Sequence, residues 1–318
     1  MSPKVLPTIP RLPTKDMLAI TPLGGGDIHN IFKLTAAMKA DKAAYAKVLD
    51  GKRLAMLFEK ESLRTRFTFD LGIQDLGGSA VFLEHRHARL GSRESIPDIA
   101  RNLERWVDGI VARVYKHRHA EDLAVNSRIP VINGLSDLMH PCQALADFFT
   151  LFEKWGDPQG RLVTYVGDGN NTCHSLIQVA ARLGVHMNVC TPEGYEPNSR
   201  ILNESMVAAR ETGSEIRILE SADEGVVGAD AVYTDVWASM GQEGEIEERA
   251  AVFHDYQVDE DLMSRAKTDA LFMHCLPAHR GSEVTTAVMD SPASIVFDIA
   301  ENRLHVQKAL MAMLLCNR

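Results

Sequence analysis

The chain has 318 residues, enough for two domains, with the 45% hydrophobic and 24% charged content of an ordinary globular protein. Its formal net charge of -9 argues against nucleic acid or an anionic membrane as the main partner. Five cysteines without a C-x-x-C pair suit a reducing compartment, and no apolar run approaches the roughly 20 residues of a membrane span. We therefore expect a cytoplasmic enzyme or binding protein.

Short apolar runs alternate with helical spacing from end to end, which indicates parallel sheets covered by helices. In the first half the predicted strands are Arg53–Glu59, Ser79–Glu84, Gly109–Tyr115 and Pro130–Leu135. In the second half they are Leu162–Val166, Val185–Thr191, Glu215–Glu220, Ala231–Val236, Ala270–Cys275 and Ser294–Phe297. We predict an α/β protein in which each half is a parallel sheet flanked by helices.

A helical pattern begins at Pro141 and ends at Trp155–Gly160, a polar stretch that contains Gly and Pro. We place the domain boundary in this region, so that residues 1–150 form the first domain and residues 151–302 the second. The last helical stretch is apolar, and we expect it to return to the first domain, which would then include residues 303–318.

The segment Ser62-Leu63-Arg64-Thr65-Arg66 follows the first predicted strand and begins a helix. Ser62 has the hydroxyl of an N-cap residue. Arginines in a first helical turn are opposed by the helix dipole unless an anion offsets them, so the segment favours an anion site. On local sequence alone, a capped surface helix with solvated arginines is an equal alternative.

His140 and Gln143 lie three residues apart at the start of the helix after Pro130–Leu135, so both can point at one ligand. An imidazole and a carboxamide can donate to a carbonyl oxygen and accept from an amide NH2. Arg113 ends another strand, and ligands bind at the carboxyl ends of parallel strands. Taken singly, His140 reads equally well as a cap residue, and Arg113 as a rim charge.

Polar residues also follow strands of the second half. Gly167-Asp168-Gly169-Asn170-Asn171 lacks the third glycine of a dinucleotide fingerprint, so its asparagines are either turn residues or ligands for a carboxylate or amine. Asp235 ends a strand, where a carboxylate can pair with a substrate ammonium. The Ser239-Met240-Gly241 run that follows has the composition of a mobile loop.

His274-Cys275-Leu276-Pro277 ends a further strand. Neighbours on a strand point to opposite faces, so His274 and Cys275 do not form a side-by-side nucleophilic pair. We therefore favour Cys275 as a contact residue rather than a covalent catalyst. The other histidines have no zinc spacing, and we expect no metal.

In this order, and each at a strand end, the motifs resemble those of the aspartate/ornithine transcarbamylases, with Glu301-Asn302-Arg303 as a further match. The resemblance covers the chain from about Leu54 to Leu315. It implies the two-domain transcarbamylase fold, a first domain that binds carbamoyl phosphate and a second that binds the amino acid. It also implies a homotrimer or an assembly of trimers, and no cofactor.

The resemblance assigns roles by position. Carbamoyl phosphate would be bound by Ser62, Leu63, Arg64, Thr65, Arg66, Arg89, Arg113, His140, Gln143, Cys275, Leu276 and Arg303. Ornithine would be bound by Asn171, Asp235, Ser239 and Met240. The catalytic groups among them would be Arg64, Arg113, His140, Asp235 and Cys275.

The implied reaction is attack of the δ-amine of L-ornithine on carbamoyl phosphate, which gives L-citrulline and phosphate in arginine biosynthesis. Leu63 stands where ornithine enzymes usually have Thr, and relatives that use N-acyl-ornithines often have an apolar residue there. The Ser239-Met240-Gly241 loop, in contrast, resembles that of the free-ornithine enzymes. Arg89 stands where many bacterial relatives place a Gln that reaches a neighbouring subunit's site.

Three alternatives stay open. The first is a transcarbamylase for another amine, such as N-acyl-ornithine, putrescine or aspartate. The second is a nicotinamide-dependent dehydrogenase, which would rest on Gly167–Gly169 and lacks the third glycine. The third is a non-catalytic descendant of the family, which is disfavoured because almost every polar position of the site is filled.

Overall fold

The computed structural model describes residues 7–84, 90–238 and 243–316. The chain divides into two compact units, of which the first comprises residues 1–142 and 302–318 and the second residues 143–301. The sequence prediction placed the boundary after residue 150. The observed units divide earlier, within the helix that begins at Pro141.

The first unit is built on a parallel sheet with strand order β2-β1-β3-β4. Its strands are β1 (Arg53–Phe58), β2 (Ser79–Glu84), β3 (Gly109–Arg113) and β4 (Val131–Leu135). The helices of this part of the chain are α1 (Gly25–Ala40), α2 (Lys42–Tyr45), α3 (Leu63–Asp75), α4 (Ile96–Leu103), α5 (His117–Val125) and the first turn of α6 (Pro141–Trp155).

The second unit is built on a parallel sheet with strand order β7-β6-β5-β8-β9. Its strands are β5 (Leu162–Val166), β6 (His186–Cys190), β7 (Ile216–Leu219), β8 (Ala231–Thr234) and β9 (Leu271–His274). Its helices are α6 from Gln143 onwards, α7 (Asn171–Leu183), α8 (Ser199–Thr212), α9 (Ala222–Gly225), α10 (Ile246–Val252), α11 (Glu260–Arg265), α12 (Thr286–Met289) and the start of α13 (Val296–Leu315), which belongs to the first unit from Asn302, with 3-10 turns at Glu243–Glu245 and His254–Tyr256.

The predicted fold class is confirmed, because both sheets are parallel and helices connect their strands. One predicted strand, Ser294–Phe297, is wrong. Ser294 forms only an isolated bridge to Phe272, and helix α13 begins at Val296. The apolar run Ile295-Val296-Phe297 is the entry to an apolar helix, and a run this short does not distinguish a strand from a buried helical turn.

The C-terminal helix returns to the first unit, as predicted. Close packing on α3 explains the return, because a Cβ at Gly72 would lie 2.9 Å from the Cε of Met311. The buried Lys308 ammonium donates to the Asp75 carboxylate over 2.9 Å. Although α13 is 20 residues long, neither it nor another helix of the described ranges has the length and apolar character needed to cross a membrane.

The sheets determine where polar side chains can converge. Strands β1, β3 and β4 are buried on both faces, as expected for parallel strands covered by helices. Parallel strands end at the same edge of a sheet, so the polar residues after them share that edge. In the first unit these follow β1, β3 and β4, and in the second they follow β5, β8 and β9.

The turn between β5 and α7 requires glycine at position 169. A Cβ there would lie 2.3 Å from the backbone nitrogen of Pro197 and 2.5 Å from the carbonyl carbon of Glu196. The next residue, Asn170, caps α7 by accepting from the amides of Thr172 and Cys173. These amides are therefore occupied by the chain itself, which does not suit a pyrophosphate-binding turn.

We expect Gly169→Ala to lower the free energy of unfolding by about 1–3 kcal/mol, because backbone atoms would have to move to admit the methyl group. Urea denaturation measures this change. Gly26→Ala is the matched control, since a Cβ at Gly26 in α1 meets nothing within 4 Å. Equal stability of the two variants would contradict the close approach.

Candidate active site

The first polar group of the site lies at the start of α3. Ser62 is the N-cap, and its hydroxyl accepts from the amide of Thr65 over 3.2 Å. The side chain of Leu63 is exposed, whereas that of Arg64 is partly buried. The Arg66 guanidinium lies 4.0 Å from the centre of the Phe82 ring, which gives it a cation–π contact on the sheet edge.

Thr65 is joined to a residue that is distant in the sequence. The guanidinium of Arg303, at the start of the C-terminal segment of the first unit, donates to the Thr65 hydroxyl over 2.9 Å. Both side chains are buried. The hydroxyl oxygen accepts from Arg303, so its own proton can be donated to a ligand.

His140 lies among three guanidinium groups. Burial lowers its pKa well below the usual range, and the positive charges of Arg303, Arg113 and Arg64 lower it further. The imidazole is therefore neutral at pH 7. The structure thus brings together four predicted site residues, which are Arg64 of α3, Arg113 of β3, Arg303 of α13 and His140, the residue before α6. This group of positive charges favours a small, highly charged anion.

Asn133 holds the turn that carries His140, and the sequence analysis missed it. Its amide donates to the hydroxyl of Ser136 over 3.2 Å and to the carbonyl of Met139 over 3.3 Å. Asn133 is fully buried on β4. A carboxamide within the apolar run Val131–Leu135 is the signal that could have revealed it, because buried polar groups need partners.

The remaining predicted phosphate-site residues have different surroundings. Gln143 is fully buried at the start of the second unit, where its amide donates to the Asp147 carboxylate over 2.8 Å. Cys275 and Leu276 also belong to the second unit. Arg89 lies outside the described residues, as do Ser239 and Met240 of the predicted ornithine site.

Asp235 is the centre of the polar group in the second unit. It is 5% exposed and accepts from the Cys275 thiol over 3.0 Å and from the Asn170 amide over 3.1 Å. The Oδ1 atom of Asp235 also accepts from the Val236 amide. Asn171, which was predicted to bind ornithine, is the first residue of α7 and is buried beside Asn170. Asn170, which orients Asp235, was not in the predicted set.

A buried carboxylate supports the turn after β9. The Nδ1 atom of His274 accepts from the Leu276 amide over 2.8 Å, and its Nε2 atom lies 3.3 Å from a carboxylate oxygen of Glu283. Nδ1 is the acceptor, so a neutral His274 carries its proton on Nε2. Leu276 has φ 58°, an uncommon value for a non-glycine residue that these contacts hold in place.

Among the described residues, Asp235, His274 and Cys275 offer potential metal-ligand atoms within 4.8 Å of one another. Both nitrogens of His274 are already engaged, one by the Leu276 amide and the other by Glu283. A metal at this position would have to break one of these buried contacts. The group is better suited to hydrogen bonding than to metal binding.

Arg249 anchors both sides of the segment that contains Ser239 and Met240. Its guanidinium donates to the Trp237 carbonyl over 2.9 Å and to the Glu245 carboxylate over 2.8 Å. It also donates to Asp168 over 3.0 Å. Burial raises the pKa of Asp168 to about 6, and the Arg249 charge opposes that rise. The sequence analysis missed Arg249, because its position in a highly charged run resembles a solvated surface.

The neutral state of His140 predicts a pH effect on stability. The unfolded imidazole takes up a proton below about pH 6.5, whereas the folded one does not. Below that pH the unfolded state binds more protons than the folded state. The contribution of His140 to the free energy of unfolding is therefore fully present above about pH 6.5 and falls as the pH is lowered. We expect wild type to lose up to about 1.4 kcal/mol per pH unit more than His140→Gln, measured by urea denaturation between pH 7.5 and 5.5. Parallel curves would contradict a neutral His140.

Two family models match the chain, and together they cover most of it. The carbamoyl-P binding domain of aspartate/ornithine carbamoyltransferase matches residues 15–153. The Asp/Orn binding domain of the same enzymes matches residues 159–314. The first match contains Arg64, Arg113 and His140, and the second contains Asp235, Cys275 and Arg303.

Individual relatives agree with these models. An ornithine carbamoyltransferase from Thermococcus kodakarensis is 50% identical over 303 residues, which cover 95% of this chain and 96% of the relative. An anabolic ornithine carbamoyltransferase from Pyrococcus furiosus is 52% identical over 269 residues, 85% of each chain. The solved structure of an ornithine carbamoyltransferase from Pyrococcus furiosus has a TM-score of 0.92 at 48% identity, covering 95% of this chain and 97% of that one. The chain therefore belongs to the aspartate/ornithine carbamoyltransferase family.

Proposed function

We propose that the chain transfers the carbamoyl group of carbamoyl phosphate to the δ-amine of L-ornithine, giving L-citrulline and phosphate. The observation that carries this function is the group formed by Arg64, Arg113 and Arg303 around a neutral His140. Carbamoyl phosphate is a small, highly charged anion with a carbonyl group. Relatives named ornithine carbamoyltransferase support ornithine as the amine substrate.

The first unit supplies the groups that carbamoyl phosphate requires. In the proposed complex the Leu63 amide, at the start of α3, and the Arg64 guanidinium bind the phosphate, while the Thr65 amide is held by the Ser62 cap. The carbonyl oxygen gains negative charge as the amine attacks, so it needs donors at that moment. Arg113, the neutral imidazole of His140 and the hydroxyl proton of Thr65 provide them. Cations near the phosphate then stabilise the leaving group.

The attacking amine must be neutral. An alkyl ammonium has a pKa of about 10.4, so its deprotonation at pH 7 costs roughly 4–5 kcal/mol. Asp235 attracts the ammonium and orients it, because its carboxylate is buried and held by Asn170 and Cys275. Exclusion of water lowers the amine pKa, against the opposing effect of the Asp235 charge, and protects carbamoyl phosphate from hydrolysis.

The reaction belongs to arginine biosynthesis in this proposal, as the name of the anabolic Pyrococcus furiosus relative suggests. We place the protein in the cytoplasm, because its cysteines Cys142, Cys173, Cys190, Cys275 and Cys316 are all free thiols. Free thiols are typical of reducing compartments. The asparagine cap of α7 argues against the dehydrogenase alternative, since it occupies amides that a dinucleotide would need.

The functional assembly in this proposal is a homotrimer. The first unit exposes apolar side chains on both sides of the edge strand β2, and exposed patches of this kind mark protein interfaces. They are Leu63, Phe67 and Leu71 on α3, Val81 and Leu83 on β2, and Trp106. A cleft of about 540 Å³ lies next to Leu83 and Trp106. In a homo-oligomeric enzyme these apolar side chains and the cleft would be covered by a second copy of the chain.

The decisive test of the function is citrulline formation with a panel of amines. We expect wild type to carbamoylate L-ornithine, and not N-acetyl-ornithine, putrescine or aspartate. Asp235→Asn should lower kcat/KM for ornithine by about 10- to 100-fold, because a charge-assisted contact to the substrate is lost. The Kd for carbamoyl phosphate should stay close to that of wild type. Equal loss of both ligands would contradict the role of Asp235, and use of another amine would overturn the substrate.

The assembly is tested by analytical ultracentrifugation. We expect a particle three times the mass of the 35.2 kDa chain, or a multiple of that particle. Phe67→Glu should dissociate it, because a charge would be buried in an apolar contact. Val207→Glu, at an exposed position of α8, is the control and should leave the mass unchanged. A monomeric wild type would overturn the trimer.

A further inference from the structure

Glu59 is a buried acidic residue of the first unit that has no part in the reaction as proposed above. It follows the last residue of β1, and its side chain is 1% exposed. Its Oε1 atom accepts from the Leu90 amide over 2.7 Å, and its Oε2 atom accepts from the Tyr115 amide over 2.8 Å. The Nδ1 atom of His119 lies 3.6 Å from Oε2, beyond hydrogen-bonding distance. Each oxygen of the carboxyl group is therefore bonded to the backbone of a different segment.

The contact with Tyr115 holds the chain just beyond Arg113, which is the last residue of β3. The Glu59 amide also donates to the Arg113 carbonyl over 2.9 Å, so Glu59 contacts this strand end with both its backbone and its side chain. The amide of Val114 donates in the other direction, to the Leu135 carbonyl of β4 over 2.9 Å. The Arg113 carbonyl and the next two amides are thus held from both sides of β3.

Regular strand pairing does not by itself fix this end of β3. The register between β3 and β4 shifts between Ala112 and Arg113, so one residue of β4 is skipped in the pairing. An irregularity of this kind bends a strand and redirects the side chain that follows it. Beyond Arg113 the chain leaves the sheet to begin α5, so the Tyr115 amide needs an acceptor other than strand backbone. The carboxyl group of Glu59 supplies that acceptor.

Glu59 also belongs to the segment that leads from β1 to α3. Ser62, the N-cap of α3, follows it by three residues. The side chain of Glu59 therefore connects the segment that carries Arg64 with the strand end that carries Arg113. The charges of these two arginines both lower the pKa of His140, so the two segments meet at the anion site. All of these residues lie in the first unit.

We infer that Glu59 is a positioning residue that fixes the backbone at the end of β3 and thereby places the Arg113 guanidinium for the carbonyl group of carbamoyl phosphate. This inference rests on the proposed function, in which Arg113 donates to that carbonyl oxygen. Donors that stabilise a developing oxyanion act only at hydrogen-bonding distance. A displacement of about 1 Å can therefore lower the rate on the order of 100-fold. Glu59 acts through the backbone, because its two oxygens are bonded to amides.

Two stable ligands separate the carbonyl contacts from the phosphate contacts. Phosphonoacetamide and methylphosphonate both carry a phosphonate, and only the first carries a carboxamide with its carbonyl oxygen. Calorimetric titration measures both Kd values without requiring activity. We expect wild type to bind phosphonoacetamide at least about 100-fold more tightly, because donors to the carbonyl include a charged group. The ratio of the two Kd values cancels general effects on anion binding, so it reports the contacts with the carboxamide.

Glu59→Met should lower this ratio at least about tenfold, because the new side chain has a similar length but lacks both acceptor oxygens. The Tyr115 amide then loses its partner, and the end of β3 moves together with Arg113. The Kd for methylphosphonate should stay close to that of wild type, since the start of α3 keeps its own cap. The kcat for citrulline formation should fall by a factor similar to that of the ratio.

A double-mutant cycle with Arg113→Met tests whether Glu59 acts through Arg113. Once the guanidinium is absent, its placement no longer matters, so Glu59→Met/Arg113→Met should lower the ratio by no more than about twofold below Arg113→Met. A purely structural role predicts instead that the two losses multiply.

The matched control is Asp108→Ala. Asp108 precedes β3, and its carboxylate accepts from the Arg53 amide over 2.8 Å, so this variant removes a comparable contact at the other end of the same strand. It should keep the wild-type ratio. A loss in Asp108→Ala as large as that in Glu59→Met would overturn the inference.

The outcomes are distinguishable. Wild type without carbamoyl transfer would overturn the proposed function itself. An active wild type with an unchanged ratio in Glu59→Met, or losses that multiply in the cycle, would overturn this inference. Circular dichroism and thermal midpoints verify that the variants fold. If Glu59→Met does not fold, Glu59→Gln replaces it, because in either orientation its NH2 group faces an amide donor and the rigid carboxamide must move. A wild-type ratio in that variant would also overturn the inference.

Discussion

The hydrogen bond from Arg303 to Thr65 is the interaction on which the anion site of the first unit depends. It joins α13 to the first turn of α3 across 238 positions of sequence. A buried guanidinium is unfavourable without partners, so this contact is required once the apolar helix docks. The same guanidinium lowers the pKa of His140 and leaves the Thr65 proton as a donor. The anion site is therefore complete only when the helix is docked.

The second unit follows the same principle with the opposite charge. Asp147, Asp235 and Glu283 are buried carboxylates. Each accepts hydrogen bonds from at least two neighbouring groups. Their burial makes the hydrogen bonds strong and their loss costly. Carboxylates of this kind orient neighbouring groups that can meet an ammonium or an amide. Because each carboxylate has hydrogen-bond donors, the interior of this unit can hold several acidic side chains.

The sequence predicted most of the fold, because strands of a covered parallel sheet are apolar runs and nine of them were located correctly. Ser294–Phe297 failed, because three apolar residues fit a helix entry as well as a strand. The site motifs were also visible, since Ser62 and His140 follow strands and Arg113 ends one. Asn133, Arg249 and Glu283 were missed as supporting groups, and Asn170 was interpreted only as a turn residue or as a ligand for a carboxylate or amine. Their function lies in contacts with residues that are not adjacent in the sequence, and their residue types are common in turns and on surfaces.

The sequence by itself determined the alternation of strands and helices, the edge of each sheet at which polar residues collect and the residue types that meet an anion or an ammonium. These properties are local, because side-chain periodicity and helix capping depend on near neighbours. Only the tertiary structure decided that His140 is neutral, that Arg303 completes the group around Thr65 and that the amide nitrogen of Gln143 donates to Asp147. Protonation and amide orientation depend on burial and on charges brought together by folding, and neither quantity exists in the unfolded chain.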